Sequence, residues 1–234
     1  MRTTPILLLV AATLAAGCGG ENTSGADKPP AVREGAVVYR DALRDNHGGW
    51  FLVKDHMSFA GGRYQWSNIE AGISPTAQPD DLLKRPIPKG LAVSVAVAVS
   101  KGAALRVVDC RELGPADQPA QDWYELGVDG RQALIRRMAQ GSPPNVLARG
   151  KLAIPNGRRV KLTAQCVPDA KGGLVLALEV DGKPVARAVD AKPIPAERGG
   201  VAGTPSLRAY TRPDSPGPVT LAWEDFEVRS ASVP

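Results

Sequence analysis

At 234 residues the chain is long enough to bury a sizeable core in one domain. Its formal net charge of +5 is a mild excess with no basic block; together with the export signal described below, this argues against nucleic acid as a partner and leaves only a weak attraction to anionic envelope polymers. The two histidines, His47 and His56, have no Cys or His at ligand spacing, so no metal site is expected; Asp45, His47, Asp55 and His56 read as a polar loop, with calcium as the lesser alternative.

The first element is a leader. Arg2 precedes a charge-free apolar run, Ile6 to Ala16, that ends in small residues, which is the pattern of a secretory signal. The run falls short of the about 20 apolar residues that a membrane-spanning helix needs. Leu14-Ala15-Ala16-Gly17-Cys18 resembles the lipobox of bacterial lipoproteins. The resemblance implies a signal peptide over residues 1–17, cleavage before Cys18 and a diacylglycerol on the Cys18 thiol. It also implies an extracytoplasmic location, anchored to the cell membrane of a bacterium. A second acyl chain on the new amine makes such anchoring stable, at about 0.8 kcal/mol per buried methylene. Cleavage removes Arg2 and lowers the formal charge from +5 to +4. Residues 18–34 then form the lipidated cysteine and a flexible Gly/Ser/Asn/Pro tether with a reach of about 20–25 Å.

The expected domain covers residues 35–230, and its signal is period two. In "LAVSVAVAVS" Leu91, Val93, Val95, Val97 and Val99 share one face, while Ala92, Ser94, Ala96 and Ala98 form a face of small residues. Arg131 to Gln140 reads either as a short helix or as a strand with Ala133 and Ile135 inward. "VKLTAQCV" groups Leu162, Ala164 and Cys166. Leu174, Leu176, Leu178 and Val180 point one way before Asp181-Gly182, which supplies the positive φ values of a tight hairpin turn. Pro184 suits an edge strand or the start of the return strand. The last strand, Val219 to Val228, carries Trp223, Phe226 and Val228. Once Cys18 is set apart, Cys110 and Cys166 read as a disulfide in an exported chain, stabilising by about 4 kcal/mol; two separate buried thiols are the alternative.

Strands separated by Gly/Pro turns, punctuated by 21 prolines and lacking alternating helices, predict an all-β antiparallel sandwich or barrel. The absence of a fixed repeat disfavours a propeller or solenoid. The order of "YRDALRDNHGGWFLVKDHMSFAGGRYQW", "LRVVDCREL", "DWYELGVDGRQALIRR", "VKLTAQCV", "LALEVDGKPVARAVD" and "VTLAWEDFEV" resembles secreted bacterial domains of the concanavalin A-like, laminin-G-like jelly roll. The resemblance implies an antiparallel two-sheet β-sandwich whose concave outer face often holds a ligand groove.

In "WYELGVDG" Tyr124, Leu126 and Val128 share the inward parity, which leaves Trp123 and Glu125 outward. An exposed ring stacks on the apolar face of a sugar, and neighbouring charged groups bond its hydroxyls. Trp123 is therefore the lead ligand-binding candidate, supported by Glu125, Arg136 and Trp50; core packing is the equal alternative for Trp50 and Trp123 and the preferred one for Trp66 and Trp223. No catalytic residues are assigned. The paired carboxylates of a glycosidase lack their motif: Glu179 and Asp181 begin one that Pro184 breaks, and Glu224, Asp225 and Glu227 are wrongly spaced. A Gly-x-Ser-x-Gly elbow is also missing. The expected function is a non-catalytic binding module for carbohydrate or another envelope component. The rivals are a structural or protein-interaction domain with a protein partner and, behind it, a glycoside hydrolase.

Overall fold

The computed structural model describes residues 30–113, 122–139, 141–195, 197–198 and 201–234, so that the expected leader, the expected lipidation site Cys18 and most of the expected tether lie outside the described residues. In chain order the elements are β1 (Arg33–Asp41), β2 (Met57–Ala60), β3 (Arg63–Ile69), β4 (Thr76–Ala77), a single turn of helix α1 (Asp80–Leu83), β5 (Leu91–Lys101), β6 (Ala104–Leu113), β7 (Asp122–Val128) and β8 (Gln132–Ala139). They continue with β9 (Asn145–Lys151), β10 (Val160–Pro168), β11 (Leu174–Val180), β12 (Lys183–Asp190), β13 (Glu197–Arg198), β14 (Val201–Ala202), β15 (Thr204–Thr211) and β16 (Val219–Ser232).

Side-chain alternation decides which face each strand buries. In β5 the five large residues from Leu91 to Val99 enter the core, and the small residues turn the other way. In β8 Ala133 and Ile135 are buried, so Gln132–Ala139 is a strand and not a helix. Asp181 and Gly182 take φ values of 51° and 73°, closing the β11–β12 hairpin as their types require. Pro184 lies on β12, the edge strand of its sheet, where a missing ladder N–H costs nothing.

Two antiparallel sheets face each other. One has eight strands in the order β12-β11-β10-β5-β16-β3-β2, with β1 also paired to β16; the other has six, in the order β4-β15-β6-β7-β8-β9. The chain is thus an all-β antiparallel two-sheet sandwich. Between the sheets, Leu, Val and aromatic side chains interdigitate. Trp66 meets Trp223 edge to face at 5.5 Å, and Trp50 meets Phe226 the same way at 5.1 Å. Trp66 and Trp223 are core rings, as their alternation with other apolar residues predicts. The segment from Ser74 to Pro88 lies against the sandwich, through the β4–β15 pairing and through Leu82, which is fully buried. Cys110 on β6 and Cys166 on β10 form a disulfide that joins one sheet to the other across 56 residues of sequence.

Candidate functional site

The six-stranded sheet turns one set of side chains away from the core. In β7 Tyr124, Leu126 and Val128 are buried inward, so Trp123, Glu125 and Gly127 face out. The register sets Asp109 of β6 beside Glu125 and Glu125 beside Arg136 of β8. On the other flank, Ser206 of β15 lies opposite Asp109, and Arg208 lies opposite Val107. The same outer face therefore gathers Trp123, Glu125 and Arg136 with Asp109, Ser206, Arg208 and Tyr210, over a small apolar floor of Leu105, Val107 and Leu134.

Glu125 is the centre of this cluster and is only 1 % exposed. Its Oε1 accepts from Trp123 Nε1 at 3.0 Å and from the Tyr210 hydroxyl, and its Oε2 accepts from Arg136 Nη2. Asp109 Oδ2 accepts from Arg208 Nε at 2.6 Å and from Ser206 Oγ at 3.1 Å. Two carboxylates thus meet two guanidiniums, and the buried charge is balanced. The Arg208 guanidinium lies 4.9 Å from the centroid of the Trp123 ring, and that of Arg136 lies 5.4 Å from the Tyr210 ring, both within cation–π range. Burial, reinforced by the Glu125 carboxylate, pushes the Tyr210 phenol well above its ordinary value, so it stays a neutral donor. Chemically this is a preorganised platform: a partly exposed indole held at its edge and two partly exposed guanidiniums fixed by buried acids.

The structure sorts the four candidate residues. Trp123 and Arg136 lie on the outer face and are partly exposed. Glu125 also faces outward, but it is covered by the neighbours it bonds; its place is to position Trp123, Arg136 and Tyr210, and the expectation of direct ligand contact is corrected. Trp50 is corrected outright. It is 2 % exposed, packs 5.5 Å from Tyr64 and donates from Nε1 to Asp41 Oδ2 at 2.8 Å, so it is a core ring with a satisfied N–H. Asp109, Ser206, Arg208 and Tyr210 were not anticipated. The period-two pattern of "SLRAYT" sets the last three on one face, and that was the signal available. In the polar loop, Asp45 bonds His47, while His56 Nδ1 lies 3.3 Å from the Ser67 carbonyl oxygen; among the described residues no three His, Cys, Asp or Glu side chains converge as a metal site.

No family model matches the sequence, and no curated protein matches it. Solved structures do match. A protein of unknown function with a galectin-like fold from Bacillus subtilis superposes with a TM-score of 0.58 at 14 % identity, over 86 % of this chain and 99 % of that one. The carbohydrate-binding module CBM66 from Bacillus subtilis gives 0.52 at 12 % identity, over 80 % and 98 %. A Crh5 transglycosylase in complex with NAG gives 0.54 at 16 % identity, over 87 % and 88 %. Likenesses at this level of identity establish architecture: the chain has the galectin-like, concanavalin A-like β-sandwich fold.

Proposed function

We propose that this protein is a non-catalytic carbohydrate-binding module, exported and held at the membrane through a lipid on Cys18. The observation that carries the binding reading is the Trp123 indole, fixed at its edge by Glu125 and flanked by Arg208 and Arg136 on an outer sheet face. An indole of this kind offers an apolar platform to a pyranose ring, and the guanidiniums offer donors to its hydroxyls. The fold held in common with CBM66 supports the same reading. Both carboxylates of the face are committed to arginines, which suits a rigid binding surface better than the separated acid and base of a hydrolase.

The test is a glycan array probed with the full chain in detergent, beside its Trp123→Ala variant. Loss of a bound glycan with the melting temperature nearly unchanged is the expected result. A wild-type chain that binds no glycan but captures a protein partner on crosslinking would replace the reading with an interaction domain, and turnover of a polysaccharide would replace it with an enzyme. The anchor is tested separately, by mass spectrometry of the protein from a bacterial membrane: a diacylglycerol thioether on Cys18 is expected, and an unprocessed Met1 terminus overturns it.

A further inference from the structure

The outer face of the eight-stranded sheet holds a groove that the candidate site does not use. Its floor is the small-residue face of β5: Ala92, Ser94 and Ala96 are 3, 9 and 3 % exposed and lie beneath longer neighbours. On one side β10 sets Lys161 beside Ala96, Thr163 beside Ser94 and Gln165 beside Ala92. On the other side β16 sets Glu224 beside Ala96, Glu227 beside Ser94 and Arg229 beside Ala92. That last arrangement depends on a bulge. The pairing jumps between Glu224 and Glu227, with Asp225 at φ 54°, so both glutamates face the groove while Phe226 enters the core.

A cavity of about 360 Å³ opens over this floor, lined by Arg40, Ser94, Ala96, Arg159, Lys161 and Glu227 among others. Its size is at the low end of the roughly 300–1,000 Å³ typical of small-molecule sites. The walls carry paired charges: Arg159 donates to Glu224 at 3.1 Å and to Asp225 at 2.7 Å, and Arg40 and Arg229 both hold Glu227. The lining charges balance, with Arg40, Arg159 and Lys161 against Asp41, Asp225 and Glu227, so the cavity has no net attraction for an anion.

We propose that this groove is a second ligand site, independent of the Trp123 face, that takes an uncharged, hydroxyl-rich sugar chain. A ring sits in the cavity over Ser94 and Ala96, and its hydroxyls bond the acid and guanidinium side chains of the walls. The experiment probes an array of neutral and uronate-containing oligosaccharides with the full chain and three variants: Ala96→Met, which fills the floor; the paired rim change Arg40→Ala with Arg159→Ala, which leaves the floor alone; and Trp123→Ala. Binding to neutral glycans that survives Trp123→Ala and weakens roughly tenfold to a hundredfold in the rim variant is the expected result. Ala96→Met should weaken it likewise, with near-ultraviolet circular dichroism showing an intact core. The proposal is overturned if Trp123→Ala erases all binding, if the rim variant binds like wild type, if uronates are preferred, or if no neutral glycan binds. Because each variant touches one sheet, failure of the groove and failure of the Trp123 face are told apart.

Discussion

At Glu125 a buried carboxylate is kept in place by three donors, and the exposed side chains of the face owe their positions to it. Breaking one side of a buried ion pair leaves the other charge uncompensated, typically at 3–5 kcal/mol; the Arg136 side chain retains 16 % exposure, which places the cost near the lower limit. Glu125→Gln is therefore expected to lower the unfolding free energy by about 3 kcal/mol in urea titration. It should also weaken glycan binding on the proposed face, by loosening Trp123 and Arg136. Equal stability in the two proteins would mean that Trp123 and Tyr210 do not depend on the carboxylate. The alternation in "DWYELGV" was enough to turn Trp123 and Glu125 outward, because a strand has only two faces. Tyr210 escaped notice because its bond to Glu125 spans 85 residues, and a face read from sequence does not say which strand will lie beside it. Trp50 sits between regular elements, where no period assigns a direction, and its burial comes from Tyr64 and Phe226.

Among the strands, those that set Leu and Val at every second position were legible, above all β5 and β11. A one-residue slip would turn the large residues of either strand onto the opposite face of the sheet. The β16 bulge was not legible, since Asp225 at positive φ looks like any other residue of an acidic strand. Nor was the closure of the sandwich at its side. There the edge strands β9 and β12, one from each sheet, approach so closely that a Cβ on Gly150 would lie 1.8 Å from the Val185 carbonyl oxygen. Glycine inside a strand marks such an approach, and setting two edges against each other also keeps them from pairing with foreign strands. Gly150→Ala forces the backbones apart and is expected to destabilise by about 1–3 kcal/mol, which a thermal melt reads as roughly 2–4 °C per kcal/mol in a domain of this size. An unchanged melting temperature would show that the β9–β12 contact yields without cost.

For the whole molecule, fold and function separate. The same sandwich is found in a carbohydrate-binding module and in a transglycosylase, so the architecture leaves the activity to be settled by the two outer faces. What the architecture does fix is the relation between those faces. Cys110 lies on β6 of the sheet that carries Trp123, and Cys166 lies on β10, which forms one side of the groove; their disulfide is a covalent cross-link between the two layers. In the chain-entropy account, a cross-link over 56 residues removes enough unfolded-state freedom to stabilise by about 4 kcal/mol. That is a large share of the roughly 5–15 kcal/mol ordinarily available to a domain. Replacing both cysteines by serine should therefore lower the denaturation midpoint sharply. Yet the core around each sulfur belongs to strands that are already paired on both sides, so each sheet should keep its register. Well below the new midpoint, both faces should then bind as in the parent protein. A variant that keeps its midpoint would show that the link adds nothing to stability, and one that loses binding while still folded would show that the two faces depend on how the sheets are held together, and not only on their own residues.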